Sequence, residues 1–274
     1  MVRLHSLLFA SVAALLLAGC DDAPDGVWQG YAEGEYVRVG PIDGGTVETI
    51  DVARGDRVEK GALLFRLDTT AETAAEAQAA AQLAEAKTAL EDAQRELKRT
   101  ETLRAGGNVA QAILDTSRAQ RDRAGSRMLA AAAGHDQAKW RLARRTGYAP
   151  AAAIVQDVLF REGEFAAASQ PVVSLLPPEN IKVRFFVPEA ELGRVRIGDR
   201  VEFSCSGCPD RLGGTVRFIS TQAEFTPPVI YSDQSKEKLV YMVEAAPNAT
   251  PEALHPGQPV TVSLVDAPEE GSGS

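Results

Sequence analysis

Cysteine is scarce in this 274-residue chain: Cys20, Cys205 and Cys208 are all there is. Histidine is as rare, and past the N-terminal stretch only His135 and His255 occur, far apart in sequence. A zinc centre built on Cys205 and Cys208 would need two further ligands, which that pair of histidines is poorly placed to supply. No Ser/His/Asp set, phosphate-binding glycine loop or carboxylate pair of catalytic spacing can be found, so nothing points to an enzyme or a cofactor. Positive charge is not in excess either. The formal charge of −9 argues against nucleic acid as a partner. After the first residues no run approaches 18 continuous apolar positions, so no later segment is expected to span a bilayer.

The start of the chain does carry a short apolar run. Met1-Val2-Arg3 is followed by an apolar stretch from Leu7 to Ala18. A basic start and about 12 apolar residues make a signal peptide, too short to cross the hydrocarbon core. Leu17-Ala18-Gly19-Cys20 closes it and resembles the lipobox of bacterial lipoproteins. The resemblance implies residues 1–19 as signal and Cys20 as the lipidated first residue of the mature chain. Asp21 resembles a signal for retention in the inner membrane. Residues 20–38 are expected to be an anchor linker and a membrane-proximal strand, the latter reading W-Q-G-Y-A-E-G-E-Y-V-R from Trp28 to Arg38.

Proline and glycine are absent from Thr70 to Ala105. Leu83, Leu90 and Leu97 fall seven apart there, with Ala79, Ala86 and Ala93 between them. The pattern resumes with Ala124, Ala131 and Ala138 in one row and Met128, His135 and Leu142 in the other. Alternating spacings of three and four predict two helices packed along one narrow seam. Thr69 with Glu72, and Asn108 with Gln111, read as capping boxes. Gly106 and Gly107 read as the stop of the first helix and Gly147 as that of the second. Residues 69–147 are thus expected to form an antiparallel hairpin, each arm about 50 Å long at 1.5 Å per residue. His135 reads as a polar seam residue, bonded or solvated locally.

The segments flanking the hairpin repeat one another. Gly45, Val47, Ile50, Val52, Gly55, Val58, Gly61 and Leu64 are matched, 108 positions later, by Ala153, Val155, Val158, Phe160, Gly163, Ala166, Ser169 and Val172. A constant offset over eight positions is an internal repeat. It predicts one small β-domain split into halves, residues 39–68 and 148–178. From residue 179 to 266 short strands alternate with turns, as in a small antiparallel barrel. The fold class is therefore α+β. Residues 267–274, ending Gly-Ser-Gly-Ser, read as a flexible tail.

Two features of the barrel segment stand out. Cys205-Ser206-Gly207-Cys208 lies between strands; in an exported chain a structural disulfide is the first expectation, two free thiols the second. The run from Glu224 to Ser232 sets Phe225, Pro227, Pro228 and Tyr231 in a proline-stiffened loop. It either presents side chains to a partner or plugs the barrel mouth.

The half-motif G-x-V-x-x-I-x-V-x-x-G-x-x-V-x-x-G-x-x-L resembles half of a biotinyl or lipoyl carrier domain. A carrier presents one lysine on a β-hairpin between the halves, a place taken here by the helices, and Lys60 reads as a solvated charge. In order, the lipobox, half-motif, α-hairpin, second half and small barrel resemble the HlyD-type membrane-fusion proteins, or periplasmic adaptor subunits. W-Q-G-Y-A-E-G-E-Y and E-F-T-P-P-V-I-Y-S resemble segments of adaptors paired with ABC-type exporters. The resemblance implies a non-catalytic protein in the periplasm, anchored to the inner membrane by its N-terminal lipid. It would stand in a hexameric ring between an inner-membrane transporter (a permease with its ATPase) and a TolC-like outer-membrane channel. The channel-docking tip carries over to Arg99, Leu103, Val109, Ala110 and Asp115, with Ala110 where such adaptors have serine. A carrier-type enzyme subunit and a purely structural coiled-coil envelope lipoprotein are the alternatives.

Overall fold

A computed structural model describes residues 26–208, 212–225, 239–248 and 253–265. The chain divides into two compact units, one joining the residues up to Glu35 to those from Pro178 on, the other running from Tyr36 to Pro177. Strands are numbered along the chain, so the first unit holds β1 (Val27–Gly34), β10 (Ile181–Pro188), β11 (Arg200–Ser204), β12 (Leu212–Phe225), β13 (Leu239–Pro247) and β14 (Pro259–Leu264).

These six strands close into an antiparallel barrel in the order β1-β10-β13-β12-β11-β14. Alternation builds it. Along β10, Ile181, Val183, Phe185 and Val187 are buried while Lys182, Arg184 and Phe186 lie on the other face. Val201, Phe203, Val216, Val243 and Val262 complete the interior, and Trp28 stacks on Phe185 with ring centroids 5.7 Å apart. Outside, Lys182 reaches Glu35 at 2.6 Å and Glu244 at 2.9 Å, and Arg184 reaches Glu33 at 2.9 Å and Glu244 at 3.0 Å. Burial works against the charge on Glu244, but the bonds from Lys182 and Arg184 outweigh it and hold the carboxyl below its usual range.

The barrel corrects the sequence reading at its start. Residues 27–34, assigned to a segment apart from the barrel of residues 179–266, pair with β10 (Gly30 with Phe185) and with β14 (Val27 with Ser263). Partners that remote leave no local signal. Gly213 and Gly214 lie inside β12; a Cβ on Gly214 would stand 2.2 Å from the Phe203 ring, so close packing explains the glycine.

The second unit holds β2 (Val37–Val39), β3 (Gly45–Ile50), β4 (Arg57–Val58), β5 (Leu63–Leu67), α1 (Thr70–Ala105), α2 (Gln111–Ala143), β6 (Thr146–Tyr148), β7 (Ala153–Val158), β8 (Phe165–Ala166) and β9 (Val173–Leu176). Two four-stranded sheets, β2-β9-β7-β4 and β6-β5-β3-β8, face each other. Each half-motif gives strands to both. The 108-residue repeat recurs bond by bond. Val47 N–H donates to Glu164 and Val155 N–H to Asp56, both at 2.8 Å; Gly55 N–H donates to Val155 and Gly163 N–H to Val47, again at 2.8 Å. Even the left-handed backbone is kept, with φ of 84° at Gly61 and 62° at Ser169. Val47, Leu64, Phe65, Leu67, Val155, Val172 and Leu175 form the shared core, each 1 % exposed or less. Lys60 is exposed beside the left-handed turn at Gly61, and α1 and α2 leave the β-domain between β5 and β6.

Candidate docking site at the hairpin tip

The seam between the helices keeps the three–four spacing throughout. On α1 the half-buried or buried positions include Glu72, Glu76, Ala79, Leu83, Ala86, Leu90, Ala93, Leu97 and Thr100; on α2 the row runs from Leu114 through Ser117, Arg121, Ala124, Met128, Ala131, His135 and Ala138 to Leu142. Small alanines in one row keep the axes close, and the leucines and Met128 fill the other.

Polar pairs mark both ends of the seam. At the root, Arg145 forms an ion pair with Glu72 and donates to the Gly44 carbonyl at 2.9 Å, tying both helices to the β-domain. His135 Nε2 lies 2.7 Å from Glu76, so the seam histidine is bonded. Towards the tip the packing is tightest: Thr100, Leu114 and Ser117 are 3 %, 6 % and 5 % exposed. The Thr100 hydroxyl donates to the Glu96 carbonyl at 2.9 Å, and the Ser117 hydroxyl lies 3.3 Å from it and 3.1 Å from the Ile113 carbonyl. The Thr100–Ser117 contact sets the two buried hydroxyls in one layer across the seam, while each is also satisfied by a carbonyl of its own helix.

The helix ends are not capped as the sequence suggested. Neither Thr69 nor Ala110, the residues at the two N-caps, makes a side-chain capping bond. Asp68 caps α1 instead, accepting the Thr70 N–H at 2.9 Å and its hydroxyl at 2.7 Å. These two bonds hold the Asp68 carboxyl below its ordinary value of 3.8. Glu72 is drawn to Arg145, and Gln111 donates to Asp115 at 3.0 Å rather than pairing with Asn108. Helix α2 stops at Arg144, whose guanidinium lies over the Trp140 ring at 4.1 Å. Gly147 lies in β6, where a Cβ would stand 2.3 Å from Phe65.

At the tip, Gly107 takes φ 76°, and the N–H groups of Gly107 and Asn108 close on the carbonyls of Arg104 and Leu103, both at 2.9 Å. Arg104 donates to the Val109 carbonyl at 2.9 Å and braces the turn. Arg99 is exposed and paired with Glu96 at 2.6 Å. Leu103, one turn beyond Arg99, is 42 % exposed. Val109 is half-buried, Ala110 is exposed, and Asp115 lies 3.7 Å from Arg118.

Sequence reading missed Ile113, which is 52 % exposed. Leu103 follows Thr100 by three and Ile113 precedes Ser117 by four, so with Thr100 and Ser117 in one layer both leave the seam on the same flank. Asp115, on the other side of Leu114, faces away from them. The signal was available, an apolar residue immediately before a seam leucine. Leu103 and Ile113 thus make an apolar couple, with the Arg99–Glu96 pair one turn below it: a surface suited to contact, with no group placed for bond chemistry.

Cys205 and Cys208 form a disulfide, their Cα atoms 5.4 Å apart, at the end of the barrel from which β12 starts. Gln258 donates to the Ser206 carbonyl there at 3.2 Å. Cys20, Pro227, Pro228 and Tyr231 lie outside the described residues, as do residues 1–19 and 267–274; Phe225 ends β12. Among the described residues no group of three or more His, Cys, Asp and Glu side chains could hold a metal ion, and no helix is long and apolar enough to cross a membrane.

No protein-family model matches the chain. A UPF0194 membrane protein of Acidithiobacillus ferridurans is 33 % identical over 175 residues, 57 % of this chain and 52 % of its own length. Another, from Yersinia pseudotuberculosis, is 33 % identical over 115 residues, 42 % of this chain and 35 % of its own. The chain therefore spans about half, or less, of the length of these curated relatives. Among solved structures, the membrane fusion protein Spr0693 from Streptococcus pneumoniae superposes with a TM-score of 0.65 at 20 % identity, covering 88 % of this chain and 99 % of that one. MacA from Actinobacillus actinomycetemcomitans gives 0.53 at 19 % identity, covering 87 % and 78 %.

Proposed function

We infer from the fold shared with these structures that the chain is built as a membrane fusion protein, the family that the order of sequence motifs resembles. We propose that the chain is a non-catalytic periplasmic adaptor that links an inner-membrane exporter, of ABC type, to a TolC-like outer-membrane channel. Its anchor is a lipid on Cys20, and its working form is a ring, six copies being the expected number. The carrying observation is the hairpin: two long arms rooted in an interlocked β-domain, ending in the exposed couple Leu103 and Ile113. A tip about 50 Å from its root has no core to serve, so apolar side chains exposed there favour a partner over packing. Export is then a matter of geometry, with the protein supplying a conduit and a docking end while the transporter supplies the energy.

The test is to substitute Leu103→Asp and Ile113→Asp, singly and together, and to follow helicity, thermal melting and export in parallel. The adaptor reading expects the fold intact and export lost. Melting and export falling together would assign the couple to the coiled coil. Unchanged export in the double variant would remove the tip from function. Acylation is read separately, by mass spectrometry of the membrane-extracted protein, where an unmodified N-terminus would remove the lipid anchor.

A further inference from the structure

One end of the barrel combines features that the adaptor reading does not use. The strand registers gather there the start of β1, the end of β14, the start of β11 and the middle of β12: Val27 lies opposite Ser263, Val201 opposite Leu264, and Arg200 opposite Thr215. A tight turn projects from this end. Arg196 N–H donates to the Asp199 carboxylate at 2.7 Å, Asp199 N–H returns to the Arg196 carbonyl at 3.1 Å, and Gly198 takes φ 98°. Bonds from Gly198 N–H to Val216 and from Val216 N–H to Asp199, both 2.9 Å, pin the turn to β12.

The turn holds Ile197 out at 68 % exposure, and Phe218 and Val265, at 46 % and 41 %, lie at the same end. Arg194, Arg196, Arg200 and Arg217 are exposed around them. Of the described acidic groups here, Glu191 accepts the Trp28 indole N–H at 3.0 Å and the Gly26 N–H at 3.2 Å, and Asp199 is used within its turn. Glu189 is exposed, and Glu202 and Glu224 lie further along β11 and β12. In a chain of formal charge −9, four arginines around exposed apolar side chains are a local departure.

We propose that this end of the barrel rests on anionic lipid headgroups, Ile197 entering the interface and Arg196, Arg200 and Arg217 facing phosphate. The inference rests on the lipid-anchor reading above. Gly26, which enters β1 at this end, follows Cys20 by six residues, a reach of about 20 Å when fully extended. An acyl anchor at Cys20 therefore confines this end, rather than the disulfide end, to the neighbourhood of the headgroups. Arginine beside an exposed aliphatic side chain suits that layer, the guanidinium meeting phosphate while the apolar group enters the acyl boundary.

The experiment places the full lipidated chain in nanodiscs, with Ile197→Cys bearing a fluorophore and lipids spin-labelled at the headgroup as quenchers. With Cys205 and Cys208 bonded and Cys20 acylated, the introduced thiol is the one available for labelling. The control is His255→Cys, an exposed position at the disulfide end. Strong quenching at position 197 and not at 255 is expected in bilayers rich in phosphatidylglycerol. It should fall about fivefold for each arginine neutralised in Arg196→Gln and Arg200→Gln. It should also weaken as salt rises. Circular dichroism of each variant reports whether the barrel remains folded. Equal quenching in neutral phosphatidylcholine would mean that the tether alone confines the barrel, and would overturn headgroup recognition. So would protection seen in protein-containing native membranes alone, which would assign the surface to a protein partner. An anchored chain unquenched at 197 sinks this proposal and leaves the adaptor reading standing, whereas failure of the chain to enter nanodiscs removes the anchor on which both depend.

Discussion

The β-domain and the hairpin belong to one unit but are held together in opposite ways. In the β-domain a compact set of side chains is removed from water almost completely, Leu64, Leu67 and Leu175 being 0 % exposed. Along the hairpin almost nothing is. Thr100, Leu114 and Ser117 are its buried residues, two of them polar, and the other leucines of the seam are only half-buried. Fully burying a leucine contributes about 2 kcal/mol, and a half-buried one about half that. The β-domain thus carries stability per residue, while the hairpin carries reach and depends on its root. The division suits an arm that must extend far from any core and still point in one direction.

Phe65→Ala should give the largest effect. The ring is 1 % exposed and lies against Gly147, so its loss opens a cavity beside the root, with an expected loss of about 3–5 kcal/mol. Leu90→Ala, halfway along the seam, should lose only about 1 kcal/mol. Denaturant titration of both variants checks this, and equal losses would erase the contrast between core and seam.

Glycines sharpen it. Gly147→Ala would drive a methyl into the Phe65 ring and should destabilise by about 1–3 kcal/mol. Gly134 lies inside α2 with nothing within 4 Å of a Cβ, so Gly134→Ala should instead stabilise by about 1 kcal/mol. Opposite shifts in melting temperature are expected, and shifts of the same sign would contradict the packing described.

The root joins the two regimes. Arg145 and Glu72 are each 16 % exposed in their side chains, and Arg145 also satisfies the Gly44 carbonyl. Arg145→Ala leaves a half-buried carboxylate and a carbonyl short of their donor, at about 1–2 kcal/mol. Its sharper signature is directional. Spin labels on the helix tip and the β-domain should report a broadened distance distribution with helix content unchanged. A sharp distribution would show that β5 and β6 alone set the direction.

Periodic features were legible in the sequence, and features depending on remote partners were not. The seam was readable because the same spacing recurs over many turns, and the split domain because its eight matched positions share one offset. Ser169 shows how far the repeat can drift, a serine holding the left-handed turn that Gly61 holds in the other half. The first strand was misplaced because its partners lie roughly 150 to 230 residues away, and pairing across such a gap leaves no local trace. Glu72 fitted a capping box, yet Arg145, 73 positions on, offered the stronger bond. At the tip, reading by resemblance named Leu103 and not Ile113, since only the packed register shows the two on one flank.

The smallest expected effect comes from Asp68, where the β-domain hands the chain to α1. Its carboxylate takes two bonds from Thr70, and Arg145 adds a weaker attraction. Because the folded pKa lies below the ordinary 3.8, the contribution is fully present above that value and is lost as pH falls through the folded pKa. The group is fully exposed, so water and salt screen it, and it lies two residues before the first residue of α1, where negative charge is favoured. Asp68→Asn keeps an acceptor and removes the charge. Amide hydrogen exchange over residues 70–73 should therefore be faster in the variant than in the parent near neutrality, once intrinsic rates are corrected. In acid below pH 3.8 the gap should shrink as the parent's carboxyl becomes protonated. Added salt near neutrality should narrow it too, since the charge acts through solvent. An offset that stays the same at both pH values would mean that geometry alone caps α1, and an absent offset would leave the Thr70 bonds without measurable weight at the root.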